Sequence, residues 1–299
     1  MNNIVEIKNL NKSFKNKHVL KDISFNIKEN SIFGFIGKNG AGKTTTMKTI
    51  LGLLEIDSGE IKVCNELVAF GQNKTNKYIG YLPDVLEFYG YMTAREYMYL
   101  CGECLELNKE IIEQRTNKLL SLVGLSDVKQ YIKGYSRGMK QRLGIAQSLL
   151  GQPKLLICDE PTSALDPIGR KEILDILLTI KDETTVIFST HILSDVEKIC
   201  TDVVVIDDGK IALNSSVEDI KKVTTKDEFV IEVHNKEDIY LFTNNFKNIV
   251  KIENNCIYFN NQNITIKEVL SFINSNNIDI DRFEKLEPTL ESLLMEVIK

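Results

Sequence analysis

The nine residues 37–45, GKNGAGKTT, constrain the fold of this chain more than any other stretch. They fit the pattern G-x-x-x-x-G-K-[ST] at every fixed position; an apolar segment (31–36) precedes them and apolar residues at helical spacing (44–54) follow them. A strand, a glycine-rich loop and a helix in this order form the arrangement that binds phosphate groups. The alternative is a glycine-rich turn that only joins two elements, and the flanking strand and helix favour phosphate binding over it.

Each residue type in this loop suits the chemistry of a phosphate site. Glycine lacks a Cβ, so the backbone can curl until several N–H groups point at one anion, and the start of the helix adds partial positive charge. Lys43 supplies a charge for the β- and γ-phosphates, and Thr44 offers a hydroxyl to Mg²⁺, which prefers oxygen ligands. The loop residues expected to contact a nucleotide are Gly37, Asn39, Gly40, Ala41, Gly42, Lys43, Thr44 and Thr45.

The composition is that of a globular protein with room for two domains. The chain has 299 residues, of which 43% are hydrophobic and 26% charged. A net charge of −5 argues against a nucleic-acid partner held on a broad basic face. No apolar run approaches the roughly 18 residues that span a bilayer, and the N-terminus lacks an apolar signal core, so a cytoplasmic location is expected.

The six cysteines are scattered, and a cytosolic setting keeps them reduced. Cys101 and Cys104 form one CxxC, but a zinc site normally needs a second such pair or histidines, and none is near. Two half-buried thiols on a helix are therefore the favoured interpretation.

Strand and helix patterns alternate over residues 1–223, which predicts an α/β fold with a mainly parallel sheet covered on both faces. Early strands are expected at 3–10, 18–27 and 60–68, with a polar turn at 12–17.

Helical spacing takes over from residue 78. Thr93 with Glu96 makes a capping box, and Asn108 and Ser136 are candidate caps of two further helices. This block predicts an inserted helical subdomain at about 85–151. Strands at 155–158 and 184–189, helices from Asp166 and Ile192, and a hairpin at Asp208-Gly209 follow it.

Residues 224–299 differ from the rest because they are rich in asparagine and lack catalytic motifs. We predict a small α+β domain of the ferredoxin-like β-α-β-β-α-β order, followed by a helix from Thr289. The six elements are expected at 229–234, 236–244, 249–253, 256–259, 264–274 and 278–283.

Residues 154–162, KLLICDEPT, read as an apolar strand that ends in two carboxylates. At the C-terminal end of the strand, Asp159 could hold Mg²⁺ directly or through water. Glu160 could act as the general base that takes a proton from the water attacking the γ-phosphate. An acidic turn is the alternative, and the phosphate loop upstream weakens it.

Two other stretches carry candidate polar groups. Ser136 and Gly138 in YSRGM lie at a helix start, where a hydroxyl and backbone N–H groups can bind an anion, although taken alone the stretch favours an ordinary serine cap. His191 follows the strand TVIFST, which is predicted to lie beside the Asp159 strand, so His191 could reach the γ-phosphate; a structural histidine is the alternative.

In these motifs the sequence strongly resembles the nucleotide-binding subunits of ATP-binding cassette (ABC) transporters, over about residues 4–223. GKNGAGKTT matches the Walker A motif, LLICDE matches Walker B, YSRGM the signature, SALD the D-loop and His191 the switch histidine. Phe14 matches the aromatic residue on which adenine stacks. The resemblance implies a P-loop NTPase fold, with a RecA-like sheet, an antiparallel β subdomain and the helical insert.

The resemblance also implies partners and residue roles. Two cassettes, from two copies or from a copy and a homologue, sandwich each ATP between the Walker A loop of one and the signature of the other. ATP hydrolysis, with Glu160 as the general base, then drives a separate membrane permease, which would hold this chain on the cytoplasmic face of the membrane. Ser136 and Gly138 are the phosphate-facing residues of the signature.

Two departures from the family pattern stand out. Asp84, at the end of the stretch IGYLPD, occupies the position where the family usually has a glutamine. Its carboxylate could bind Mg²⁺ more directly or have an altered catalytic role. In the signature, Arg137 replaces a glycine. Cassettes of drug, lantibiotic and bacteriocin-immunity exporters often show variants of this kind together with a C-terminal extension. The similarity of this chain to them favours export over import.

Two further questions stay open at the level of sequence. The aromatic-rich stretch after Asp84 could form the groove for the coupling helix of a permease or could pack inside the helical insert. A permease-free ATPase of the translation or DNA-repair type is the alternative function, although neither a second cassette nor a long coiled coil is present. A non-catalytic binding module is disfavoured by intact Glu160 and His191.

Overall fold

A computed structural model describes residues 2–15, 17–72, 74–223 and 228–286. The chain divides into two compact units, with the division between Val217 and Glu218, whereas the sequence placed it after residue 223. The helix predicted from Thr289 lies outside the described residues.

The first sheet is antiparallel and has the strand order β2-β1-β4-β5. Its strands are β1 (Asn3–Phe14), β2 (Lys17–Lys28), β4 (Ser58–Val63) and β5 (Glu66–Leu67). The polar turn predicted at 12–17 is too long, because β1 and β2 pair as far as Phe14↔Lys17. The single strand predicted at 60–68 is a hairpin instead, with Cys64 and Asn65 at φ 50° and 64°.

The second sheet has six strands in the order β10-β9-β3-β8-β7-β6, all parallel except β10. The strands are β3 (Ile32–Ile36), β6 (Ile79–Leu82), β7 (Leu155–Cys158), β8 (Thr185–Thr190), β9 (Asp202–Asp207) and β10 (Lys210–Ser216). The helices between them are α1 (Lys43–Ile50), α5 (Pro167–Ile180) and α6 (Leu193–Ile199), and α7 (Val217–Val223) begins at the division between the units. Every residue of β3, β7 and β8 is buried, as strands covered on both faces require. Strand β6 lies where helical spacing was predicted to begin.

The helical insert follows the predicted caps. It consists of α2 (Ala94–Cys104), α3 (Lys109–Leu122) and α4 (Arg137–Leu149). Thr93 and Glu96 form the capping box, and Asn108 and Ser136 accept from backbone N–H groups three residues on. Local hydrogen bonding at helix starts therefore sets the boundaries of this subdomain.

The second unit is a four-stranded antiparallel sheet with two helices. Its elements are β11 (Glu228–Val233), α8 (Asp238–Asn245), β12 (Ile249–Glu253), β13 (Cys256–Asn260), α9 (Ile266–Ser275) and β14 (Ile280–Leu286). The strand order β12-β13-β11-β14 gives the predicted ferredoxin-like arrangement. Phe229, Phe242 and Phe259 are fully buried at its centre, with ring centroids 5.1 to 6.0 Å apart for the two pairs that involve Phe259.

Candidate nucleotide site

The glycine-rich loop connects the end of β3 to the start of α1, and its glycines are sterically required. A Cβ on Gly37 would meet the backbone oxygen of Ile206 at 2.5 Å. Gly42, at φ 117°, caps α1 in the left-handed region, where a Cβ would meet Leu20 at 2.7 Å. Gly40, at φ 81°, faces open space. The loop is thus packed on its inner side and open on its outer side, the side from which a phosphate could approach.

Lys43 is the residue that closes the loop on itself. Its ammonium donates a hydrogen bond to the Gly37 carbonyl at 2.7 Å, although the side chain is only 6% exposed. The same ammonium lies 3.4 Å from Glu160 Oε1. Of the other predicted loop contacts, Asn39, Gly40 and Thr44 are exposed and Thr45 is half-buried, whereas Gly37, Ala41 and Gly42 are buried.

Three predicted residues converge because they follow parallel strands at one edge of the sheet. Gly37 follows β3, Asp159 follows β7 and His191 follows β8, and β3 and β7 both pair with β8. The carboxyl ends of parallel strands lie side by side, which is where ligands bind in open α/β sheets. Residues more than 100 positions apart in the sequence therefore form a single cluster.

Glu160 is held by contacts on both carboxylate oxygens. Oε2 lies 2.9 Å from His191 Nδ1, whereas buried Oε1 makes no hydrogen bond to any described residue and faces Lys43. The backbone of Glu160 is in the left-handed region at φ 50°, which is uncommon for a non-glycine residue. A buried carboxylate oxygen without a hydrogen bond can still accept one, and a substrate or a water molecule could donate it.

Ser189 joins the Asp159 carboxylate to the backbone of Glu160, and its role was not predicted from the sequence. Its hydroxyl donates to Asp159 Oδ1 at 2.6 Å and accepts from the Glu160 N–H at 2.9 Å. Asp159 is 2% exposed, so this bond orients a nearly buried carboxylate. A serine at the end of an otherwise apolar strand was the signal that could have pointed to it.

Asp84 lies two residues after β6, at the same edge of the sheet, and is exposed. Strand β6 pairs with β7 at Leu82↔Cys158, so Asp84 and Asp159 leave neighbouring strands. Burial, followed by the charges of Asp159 and Asp84, raises the pKa of Tyr81 to about 12. Asp84 therefore contributes negative charge to this edge, beside Asp159.

Phe14 ends β1 with its ring 43% exposed. The ammonium of Lys12 lies 5.2 Å from the ring centroid, and Asp57 accepts from both the Lys12 ammonium (3.3 Å) and the Ser13 N–H (2.6 Å). The paired strand β2 reaches the phosphate loop, since Leu20 is the nearest neighbour of a Cβ built on Gly42. The aromatic ring is thus anchored on the hairpin that packs against the loop.

Ser136 and Gly138 lie elsewhere, at the start of α4. Ser136 is exposed and accepts from the Met139 N–H at 3.2 Å. Neither residue hydrogen-bonds to the phosphate loop, Asp159 or Glu160 within the described ranges. The structure therefore groups the loop with Asp159, Glu160 and His191, and leaves the predicted signature residues on a separate exposed surface of the same chain.

Comparison with known proteins agrees with this geometry. The family model described as ABC transporter matches residues 20–163. An uncharacterized ABC transporter ATP-binding protein, YxlF of Bacillus subtilis (strain 168), is 36% identical over 99% of each chain. The bacitracin transport ATP-binding protein BcrA of Bacillus licheniformis is 36% identical over 79% of this chain and 78% of its own. The solved structure of cbiO1 from Clostridium perfringens, described as part of the ABC transporter complex cbiONQ, is 29% identical with a TM-score of 0.67, covering 75% of this chain and 95% of that one.

The chain belongs to the ATP-binding proteins of ABC transporters. It is an ATP-binding and ATP-hydrolysing transporter subunit with the P-loop NTPase fold. Within the described residues, no helix is long and apolar enough to cross a membrane.

Proposed function

We propose that this chain powers the export of a drug, an antimicrobial peptide or a similar amphiphile through a separate multi-span permease. The observation that carries the ATP-hydrolysing part of the proposal is the placement of Glu160 between His191 and Lys43, the last of which belongs to the phosphate loop. The similarity to a protein named for bacitracin transport supports the class of cargo. The chain would work on the cytoplasmic face of the membrane, held there by the permease.

In the proposed reaction, Glu160 accepts a proton from the water that attacks the γ-phosphate. His191 orients the carboxylate through the 2.9 Å contact and reaches towards the γ-phosphate. Lys43 turns from the Gly37 carbonyl to the β- and γ-phosphates, and the N–H groups of the glycine-rich loop bind the same anion. Phe14 presents its exposed ring to the adenine.

The residues present suit a magnesium ion bound together with the nucleotide. Thr44 offers an exposed hydroxyl, while Asp159 and Asp84 provide carboxylates at one sheet edge. No cluster of three or more His, Cys, Asp or Glu side chains that could hold a metal is present among the described residues. Mg²⁺ characteristically binds through one or two carboxylates plus substrate phosphates and water, and it would neutralise phosphate charge.

A second cassette would complete each nucleotide site. Ser136 and Gly138 start helix α4 on an exposed surface, where the hydroxyl, the N–H groups and the helix terminus suit a phosphate from another chain. We propose that two copies, or a copy and a homologue, each supply the loop to one site and the Ser136 surface to the other.

A groove of about 660 Å³ is the proposed docking site for the permease. It lies between strand β6 and the helical insert, and its walls include Tyr81, Tyr89, Tyr97, Cys101 and Cys104. Tyr89 is 53% exposed and its ring centroid lies 6.4 Å from that of buried Tyr97. The aromatic stretch after Asp84 thus contributes both packing and an open apolar wall, the chemistry that an amphipathic segment of a membrane protein needs.

A subunit-mixing experiment tests the shared site. Lys43→Ala should weaken binding of a fluorescent ATP analogue, and Ser136→Arg should block the second surface, so each variant alone should lose ATP turnover. Half of the dimers in an equimolar mixture would be mixed, each with one intact site out of two. We therefore expect turnover to return to about a quarter of the wild-type level. A mixture as inactive as its components, with no ATP-dependent dimer in Glu160→Gln, would contradict self-pairing.

Transport itself is tested by reconstitution. A multi-span membrane protein that co-purifies with this chain should be placed in vesicles with the wild-type chain or with Glu160→Gln. ATP-dependent movement of bacitracin with the wild type, and none with the variant, is the expected result. ATP hydrolysis without any response to peptides of this class would remove the proposed cargo but leave the ATPase.

A further inference from the structure

The carboxylate of Asp195 is completely buried, and the reaction as described above does not use it. One of its oxygens accepts from the Thr162 hydroxyl at 2.8 Å, and the other accepts from the Arg170 guanidinium at 2.7 Å. Arg170 is the counter-ion and remains 27% exposed in its side chain. A buried carboxylate is costly unless both oxygens are matched by donors, so the geometry of all three residues is tightly fixed.

The two donors flank one surface segment, residues 163–169, in which a loop runs into the first turn of α5. Thr162 and Arg170 stand immediately before and after this segment, so a single carboxylate holds both of its ends. The loop part has Ala164 in the left-handed region at φ 53°, and Ile168 in the helical part is 71% exposed. Leu165 approaches the signature, since its Cδ2 lies 4.0 Å from a Cβ built on Gly138. The position of the loop therefore depends on Asp195.

Asp195 also connects to the catalytic cluster along the chain. It lies in the first turn of α6, four residues after His191, and Thr162 is two residues after Glu160. Both connecting segments are short and hydrogen-bonded: the Ile192 N–H donates to Thr190 at 2.9 Å and the Ser163 N–H donates to the Glu160 carbonyl at 3.1 Å. Movement of the Asp195 carboxylate would therefore change the 2.9 Å contact between His191 and Glu160.

We infer that Asp195 is a positioning residue. It fixes the positions of the segment 163–169, the Glu160 segment and the His191 segment relative to one another. The inference rests on the proposed roles of Glu160 and His191. A misplacement of about 1 Å in a catalytic group costs on the order of 100-fold in rate. Loss of the hydrogen bonds to Asp195 should thus lower turnover, whereas nucleotide affinity, which depends mainly on the loop 37–45, should change little.

The hydrogen bond from Thr162 to Asp195 gives the sharpest test, because threonine has an isosteric replacement that lacks the hydroxyl. Thr162→Val keeps the shape and removes the hydroxyl, and Thr162→Ser restores the hydroxyl. We expect Thr162→Val to lower kcat for ATP by 10- to 100-fold with KM within about twofold of wild type, and Thr162→Ser to recover most of kcat. Thr179→Val, which removes an exposed hydroxyl on α5, is the matched control and should leave both constants unchanged.

Asp195→Asn adds a second measurement, with Glu160→Gln assayed in parallel. It keeps an acceptor for Thr162 but removes the charge that pairs with Arg170, so kcat should fall while KM stays near wild type. A folded Thr162→Val or Asp195→Asn with a wild-type kcat would overturn the inference, as would a lower melting temperature without loss of kcat. Full turnover in Glu160→Gln would instead overturn the proposed role of Glu160, so the two failures can be told apart.

Discussion

His191 Nδ1 and Glu160 Oε2 lie 2.9 Å apart, and the other oxygen of the same carboxylate lies 3.4 Å from the Lys43 ammonium. The Glu160 carboxylate is thus shared by His191 and Lys43, and the three residues follow three different strands of the parallel sheet. We infer that a nucleotide competes for Lys43, because its phosphates carry more negative charge than a single carboxylate. The release of Oε1 would then leave Glu160 held by His191 and free to accept a proton from water.

The first prediction concerns Glu160→Gln. The amide keeps the size of the side chain and a contact for His191 but is too weak a base to accept the proton. We expect ATP binding to persist and turnover to fall by at least about 100-fold, the scale of a lost general base. Phosphate release and binding of a fluorescent ATP analogue measure the two properties. Glu183→Gln removes an exposed carboxylate paired with Lys118 and should change neither.

Sequence reasoning located most of the site because its motifs are local. The loop glycines, Lys43 and the cap Ser136 are each specified by a few neighbouring residues, and the structure places each on the expected element. The ferredoxin-like order of the second unit was also predictable, because strands and helices alternate there with clear turns such as Asn254-Asn255, where Asn254 has φ 55°.

The features that could not be predicted from the sequence depend on contacts between residues far apart in the chain. Residues 12–14 read as a polar turn, but their backbone completes the pairing of β1 with β2, with Asp57 bound to the same segment. Ser189 and Asp195 were missed because their partners are about 30 residues away in sequence. A hydroxyl or a carboxylate within an apolar pattern has no local partner to reveal its role.

The second prediction concerns base recognition by Phe14. Stacking of a base on an aromatic ring is worth about 1–3 kcal/mol, so Phe14→Ala should weaken binding of the ATP analogue by roughly 5- to 150-fold. Phe14→Tyr keeps the ring and should bind like wild type. Asp57→Ala should give an intermediate loss, because Asp57 holds the Lys12 and Ser13 segment that presents the ring. Equal affinity for wild type and Phe14→Ala would exclude stacking at this residue.

The third prediction concerns Asp84 and magnesium. If Asp84 contributes a charged oxygen to the ion, then Asp84→Asn should raise the Mg²⁺ concentration that half-saturates ATP turnover by roughly tenfold. Turnover at saturating Mg²⁺ should recover in large part, which separates a metal ligand from a general base. Asp127→Asn replaces an exposed aspartate of the helical insert and is the matched control. An unchanged Mg²⁺ titration in Asp84→Asn would leave Thr44 and Asp159 as the proposed ligands.

The fourth prediction concerns the second unit, where His234 Nδ1 lies 2.9 Å from Asp281 Oδ1. The hydrogen bond to Asp281, aided by its charge and that of Asp279, raises the pKa of His234 above its ordinary value of 6.5. A raised pKa in the folded state means that the stabilisation is present in full below pH 6.5 and is lost as the pH rises through the folded-state pKa. In an NMR titration, Asp281→Asn should return the pKa of His234 towards 6.5. Glu284→Gln, on the same strand but paired with Arg282, should leave the His234 titration unchanged, and a shift as large as that in Asp281→Asn would point to the general field of β14 instead of this contact.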